Sequence, residues 1–334
     1  INRTYLIETD GGAPGILQRI NPRVFHDGQR VMENIARVSA HLAAKYRARG
    51  VDPSRRVLRL LPTRAAAHWL TAADGAVWRM YLAIADALAH TEAPTPALAL
   101  KAASAFGEFF MLLADLPAPP LHVTIPRFHD TPHRLQQFED ALARDQANRA
   151  AAVPDEIAFV RERTPDAGTL LDCIADGRMI ERVTHNDAKL DNVLIDANTG
   201  DALCVIDLDT VMPGLPLYDF GDCARAATRT GAEDEPDQTR IRCDLTIFEQ
   251  LVRGYLASAG SVLNRHEIDL LPFAARLITF EIGTRFLTDY LNGDIYYATH
   301  RPNQNLDRAR VQFAMVRSME AQASDMEAIV RCYR

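Results

Sequence analysis

The sequence lacks most of the features that would assign it to a class at once. It has no cysteine framework: Cys173, Cys204, Cys223, Cys243 and Cys332 are odd in number, scattered, and never spaced C-x-x-C. That excludes a disulfide scaffold and a cysteine-based zinc module, and it points to reduced thiols in a cytoplasm. Basic excess is also missing. The net charge is −7, with both signs interspersed, which argues against a nucleic-acid stripe or a polybasic membrane patch. The apolar runs read as too short to span a bilayer. Internal repeats and low-complexity tracts are absent, apart from alanine-rich helical stretches. What remains is 334 residues with 48% hydrophobic and 24% charged content, ordinary for a globular protein of two domains or one bilobal one. The chain opens on Ile1 in mid-strand pattern, so the true N-terminus is expected upstream, and the lack of a targeting signal carries little weight.

The most informative stretch runs from Val183 to Asp207. A short apolar run enters the polar loop Thr184-His185-Asn186-Asp187-Ala188-Lys189-Leu190-Asp191-Asn192. A second run, Val193 to Asp196, leaves it and turns at Asn198 to Asp201. A third, Ala202 to Ile206, returns and ends in Asp207. Loops on a rigid scaffold are where catalytic groups concentrate. Asp187 can accept a proton from a substrate hydroxyl. Asn192 and Asp207 are hard oxygen ligands suited to Mg²⁺. Lys189 can neutralise charge on a transferring phosphoryl group. A base, a metal clamp and a cation are the kit that phosphoryl transfer needs; a solvated polar turn is the bland alternative. His185 reads as a buried residue fixing loop geometry rather than as the base. The Asp219-Phe220-Gly221 triplet follows a Pro- and Gly-rich stretch and not a strand. Asp219 is therefore expected to cap the next helix or brace the loop, and not to bind metal.

Upstream, Thr4 to Glu8 and Gly15 to Ile20 alternate as paired strands about a turn at Asp10-Gly11-Gly12. In a kinase-like lobe the second strand should carry a phosphate-binding lysine, and none is present. Gln18 and Arg19 occupy that region, and only one of them can face the cleft. Arg19 is preferred on charge, with an exposed strand charge the alternative. Asp27 starts a helix with an apolar face through Val31, Ile35, Val38 and Leu42. Its Glu33 is expected either to reach Arg19 or to face solvent. Val57 to Leu61 and Ala76 to Ile84 read as further strands. The stretch Thr91 to Pro96 reads as a linker, and the chain beyond it as mainly helical. The near all-round apolar helix to Leu116 predicts burial. Helices are expected over 134–150, 154–163, 237–259 and 266–292. Arg127 and His129 are assigned packing and surface roles first. Arg285 stands in an apolar helix. It must be paired, with Asp289 one turn on, or meet a ligand. The following Leu291 to Tyr297, with Tyr296, adds aromatic and polar groups suited to a sugar.

The expected fold is α+β and two-lobed: a small β-rich lobe with one packed helix over 1–90, and a large, mainly helical lobe over 91–334. The H-x-D-x-K-x-x-N loop with a later strand-end Asp resembles the catalytic loop of protein kinases and, more closely, of aminoglycoside and choline kinases. Further runs carry a closer resemblance: Leu17-Gln18-Arg19-Ile20-Asn21, Met32-Glu33-Asn34-Ile35, Phe128-His129-Asp130, Cys204 to Gly214 and Arg285 to Tyr290. They are similar to the bacterial N-acetylhexosamine 1-kinases of the aminoglycoside phosphotransferase superfamily. The resemblance covers essentially the whole chain. It implies a protein-kinase-like fold, ATP and Mg²⁺, and γ-phosphate transfer to the anomeric hydroxyl of N-acetylglucosamine or N-acetylgalactosamine. It implies Asp187 as catalytic base with Lys189 beside it, and Asn192 and Asp207 as metal ligands. Gln18, Arg19 and Glu33 are then expected on the nucleotide side, and Arg285, Asp289 and Tyr296 at the sugar. Gln18 departs from the superfamily lysine, and the glycine-rich turn is expected at or before Ile1. A monomer or weak homodimer without nucleic-acid or membrane partners is expected. The alternatives are a kinase for another small alcohol, with Asp209, Asp289 and Asp294 as acidic candidates, or an inactive nucleotide-binding protein.

Overall fold

The structure, a computed structural model, describes residues 2–8, 12–90 and 94–334. The turn expected at Asp10-Gly11 and the first half of the expected linker lie outside the described residues. The N-terminal strands β1 (Arg3–Ile7) and β2 (Gly15–Arg19) pair antiparallel. They are followed by α1 (Gly28–Ala48), β3 (Leu70–Thr71) and β4 (Val77–Leu82), and the sheet order is β1-β2-β4-β3. Asp27 caps α1 by accepting from the backbone of Gln29 and Arg30. The helix buries Val31, Met32, Ile35, Val38 and Leu42. Along β4, buried and half-buried positions alternate strictly, with Val77, Arg79 and Tyr81 inward. The expected strand at Val57 to Leu61 does not form. Leu60 makes only an isolated bridge to Tyr81, because backbone bonds from Leu61 to Met80 and from Leu82 to Arg59 tie the segment loosely to the end of β4.

A second sheet is built from β5 (Ala87–Ala89), β7 (Val193–Asp196) and β8 (Ala202–Val205), in the order β5-β7-β8. A third pairs β6 (Arg182–Thr184) with β9 (Met212–Gly214). The polar loop lies between β6 and β7. The helices are α2 (Pro96–Leu113), α3 (Thr131–Arg144), α4 (Pro154–Glu162), α5 (Thr169–Ala175), α6 (Pro216–Ala227), α7 (Leu245–Ala259), α8 (Arg265–Asp269), α9 (Leu271–Leu291), α10 (Gln304–Ala321) and α11 (Ala323–Tyr333). Helix α7 begins later than the apolar pattern suggested: Asp244 caps it, and the preceding Gln238–Arg240 forms only a short 3-10 turn. Helix α3 stops at Asp145, whose left-handed backbone closes it.

Helix α2 corrects one expectation. With 18 residues and a mean hydropathy of 1.3, it is long and apolar enough to cross a membrane by length and composition. Ala102, Ala103, Phe106 and Phe110 are nevertheless buried, and Gly254 of α7 lets that helix approach the Leu100 carbonyl of α2 closely. A buried core helix passes the same length test.

Candidate active site

The loop between β6 and β7 is held from every side by buried polar groups. Asp219, in the first turn of α6, accepts the backbone N–H of His185 at 2.8 Å and of Asn186 at 2.6 Å. Burial pushes its pKa up to about 6, against the opposing pull of His185 and of these bonds. Asp219 is thus the brace for the loop. The His185 ring accepts the N–H of Asp187 on Nδ1 at 3.3 Å, so Nε2 donates to the Ile206 carbonyl at 2.8 Å. Phe106 and Phe109 meet the same ring edge-on. Asn186 is left-handed (φ 62°), and its amide donates to the carbonyls of Thr184 and Thr210. A Cβ on Gly214 would collide with Asn186 Oδ1 and Thr184 Oγ1, so only glycine lets β9 lie against this loop. His129 is buried: one ring nitrogen meets Glu281 and the other the Asn186 carbonyl, each at 2.9 Å. It ties the loop to α9 through Glu281, a role that sequence distance concealed.

Asp187 emerges from this frame 28% exposed, beside the 34% exposed Lys189 with Nζ 3.5 Å away. Burial would raise its pKa, but Lys189, His185, Arg225 and the Asn192 hydrogen bond hold it below the ordinary carboxylate value. Asp187 is thus anionic at neutral pH. Its charge is also the largest cause of the raised pKa of Lys189. Asn192 donates its amide to the Asp187 carbonyl at 2.7 Å and to Oδ2 at 3.1 Å, which orients its Oδ1 as the remaining acceptor.

Asp207 follows β8 in a left-handed conformation. Burial, Asp209 and Asp187 push its pKa up to about 6. Among the described residues, no group of three or more His, Cys, Asp or Glu is gathered as a metal cluster. The protein therefore offers two side chains, Asn192 Oδ1 and the Asp207 carboxylate. That donor set fits a hard dication whose other ligands are water and phosphate. A dication would also relieve the crowding of carboxylates at Asp207.

A cavity of about 480 Å³ opens between the first sheet and β7–β8. Its apolar walls include Ile16, Leu82, Ala83, Leu194 and Ile206, and its polar end holds Gln18, Arg79, Asn192 and Asp207. Gln18 therefore faces the cleft and Arg19 does not. Register sets this: Gln18 lies opposite Thr4 and Arg79, whereas Arg19 lies opposite Arg3 and Trp78. Arg19 reaches Asp74 at 3.2 Å instead. Nor does Glu33 reach Arg19; it meets His122 at 2.7 Å. The cation inside the cleft is Arg79, a residue that sequence reasoning passed over. It is 1% exposed and ion-paired to Asp209, and its Nε donates to Gln18 Oε1 at 2.9 Å. Asp209 also accepts from Asn2 at 2.5 Å. The signal was an arginine at the inward register of an alternating strand.

A second cavity of about 550 Å³ is lined by Arg285, Asp289, Tyr296 and Tyr297 from α9 and the segment after it, together with part of α3. Asp289 does not pair with Arg285. Its oxygens accept the backbone N–H of Ile295, Tyr296 and Tyr297 and the amide of Asn305, all at 2.8–3.0 Å. Asp294 is likewise taken by Arg149 and Asn305, and Asp209 by Arg79. The acidic candidates for a cationic acceptor are thus already paired. Arg285 stands over the rings of Phe128 and Tyr297 at 5.1 and 6.0 Å. Among the described residues it has no hydrogen-bond or ion-pair partner. Its electrostatic environment includes Asp187.

Comparison with known proteins bears on the fold and the family. Amicoumacin kinase, solved with AMP-PNP, Ca²⁺ and its substrate, matches with TM-score 0.61 at 12% identity over 96% of this chain and 86% of its own. A microcompartment-associated aminopropanol kinase matches with TM-score 0.57 at 18% identity over 98% and 90%. An aminoglycoside phosphotransferase from Alicyclobacillus acidocaldarius matches with TM-score 0.56 at 13% identity over 99% and 89%. At these identities the likeness establishes the mixed α+β kinase-like fold, with its small β-rich N-terminal part and larger helical C-terminal part. Residues 1–257 match the phosphotransferase enzyme family, and over that span, which contains the whole braced loop and its strand-end aspartate, the chain belongs to that family.

Proposed function

We propose that the protein is an ATP-dependent kinase that phosphorylates the anomeric 1-hydroxyl of N-acetylhexosamines, giving the sugar 1-phosphate and ADP. The observation that carries this reading is the cavity at Arg285: among the described residues Arg285 feels the charge of Asp187 and has no ion-pair partner, while Asp289 beside it is spent on four N–H donors and Asp140 on Gln136. An aminoglycoside or choline-like acceptor is cationic and would need free acidic groups there. Arg285, Tyr296 and Tyr297 suit a sugar ring bearing hydroxyls and an amide.

In this mechanism Asp187 accepts the proton of the 1-hydroxyl as the sugar oxygen attacks the γ-phosphorus. A new O–P bond forms, the bond to the β-phosphate bridging oxygen breaks, and ADP leaves. An anomeric hydroxyl is more acidic than an ordinary alcohol, so the depressed basicity of Asp187 suffices. Lys189 neutralises charge on the moving phosphoryl group. Asn192 and Asp207 would hold Mg²⁺, which would offset the phosphate charge. The apolar walls at Leu82 to Ile84 take the adenine, and Arg79 with Gln18 borders the phosphates. The reading treats residues 1–90 and 91–334 as the two lobes and a cytoplasmic setting as the source of ATP.

The test is ATP consumption with Mg²⁺ against free sugars, 1-O-methyl glycosides and amino alcohols. Turnover with N-acetylhexosamines that disappears when the 1-position is blocked supports the reading. Turnover with amino alcohols instead overturns it.

A further inference from the structure

The acceptor cavity has a charge excess that a neutral sugar does not explain. Arg23 comes from the β2–α1 loop, His133, Arg134 and Arg144 from α3, and Arg285 from α9; all line the same space. Among the described residues none of the four arginines has a carboxylate partner. Arg134 donates to the Phe128 carbonyl at 3.1 and 2.7 Å and to Gln137 at 3.0 Å, all neutral acceptors. The side chains of Arg23 and Arg144 have no partner there at all, and Arg285 has only ring faces. Of the two acidic side chains in the lining, Asp289 is spent on four N–H donors. Asp140 accepts only from Gln136 at 2.9 Å. The charges of Arg134 and Arg285 act against one another, and both feel the buried Glu281, whose oxygens are taken by His129 and Thr131. In a chain of net charge −7, guanidinium groups from three separate segments converge on one cavity with no carboxylate in ion-pair contact among the described residues. A concave site of one sign focuses its field on a ligand of the other, and planar guanidinium forks match carboxylate, sulfate and phosphate oxygens.

We propose that this cavity is an anion subsite, and that the favoured acceptor is an N-acetylhexosamine bearing an acidic substituent on a carbon other than C1. Arg285 and Arg134 lie at its inner end, and Arg23 and Arg144 attract the charge from the rim. The sugar part of this proposal rests on the kinase reading above; the anion part rests on the unpaired arginines alone.

Three matched sugars test it: a neutral N-acetylhexosamine, and analogues carrying a carboxylate or a sulfate away from C1. They are compared by kcat/KM with the wild type and with Arg23→Gln/Arg144→Gln. Both rim positions are exposed, so this variant keeps the fold. The expected result is a preference of about tenfold or more for an acidic sugar at low salt. That preference shrinks as salt is raised and collapses in the variant. Carboxylate against sulfate identifies which anion the subsite takes. Calorimetric titration of the same sugars without ATP separates the two readings. If no sugar is phosphorylated but an acidic sugar binds the wild type and not the variant, the kinase assignment fails and the subsite stands. If neutral sugars turn over while acidic ones neither bind nor react better, the subsite is overturned and the kinase assignment stands.

Discussion

Substitution of Arg79 by Met should be among the most damaging single changes in the N-terminal region. The side chains of Arg79 and Asp209 are 1% and 3% exposed. Removing the guanidinium would leave Asp209 with the Asn2 amide and strip Gln18 Oε1 of its donor. Breaking one side of a buried ion pair costs about 3–5 kcal/mol, and the lost hydrogen bond to Gln18 adds about 1 kcal/mol. A domain is stable by roughly 5–15 kcal/mol, so the variant should unfold at a much lower urea concentration. The double variant Arg79→Met/Asp209→Asn removes both charges and should recover part of the loss, with a coupling of about 2–3 kcal/mol. A second consequence is chemical. Arg79 lowers the proton affinity of Asp207, so its removal should move the acid limb of activity to higher pH. Urea denaturation of Arg79→Met, Asp209→Asn and the double variant gives the energies, and the pH profile of ATP consumption gives the second effect. A single variant within about 1 kcal/mol of wild type, or a double variant no better than the single, would refute the clamp.

Further outcomes follow from the loop. Asp187→Asn should lower kcat by roughly 10²–10⁴-fold while leaving the urea midpoint nearly unchanged; near-normal turnover with sugar and ATP would remove Asp187 from its role. Gly214→Ala should cost about 1–3 kcal/mol through overpacking against Asn186 and Thr184, and should depress kcat more than KM; a neutral effect on both would contradict the close approach of β9. Asp207 and Asp219 are raised from the ordinary value of 3.8 to about 6. Between those values the folded state holds more protons than the unfolded one. Their contribution to stability is therefore greatest on the acid side and is lost as pH rises through that window. Without divalent cation, Asp207→Asn should show a shallower fall in denaturation midpoint from pH 4 to pH 7 than the wild type. With it, the acid limb of the wild-type activity profile should move to lower pH as Mg²⁺ is raised, because cation and proton compete for one carboxylate. A limb indifferent to Mg²⁺ would show that Asp207 does not hold the cation.

The arrangement of the polar loop was legible in the chain because its information is local. Asp187, Lys189 and Asn192 lie within six residues, and the two short strands that bring Asp207 back are adjacent in sequence. Local apolar period and capping likewise determined α1 from Asp27 onward and the buried character of α2. The mixed, two-part architecture could be read from the same patterns. What the chain could not disclose was pairing across distance. Gln18 and Arg19 are neighbours with opposite directions, and only the register against β1 and β4 decides which one enters the cleft. Arg79 meets Asp209 across 130 positions, and His129 meets Glu281 across 152; no periodicity reports such contacts. Glu33 was expected to reach Arg19 or to face solvent; it lies 49% exposed and meets His122. Asp289 sits one helical turn from Arg285, yet three backbone N–H groups of the chain beyond α9 claim it first. A buried carboxylate goes to whichever donors the tertiary fold brings nearest, and here that choice leaves Arg285 unpaired.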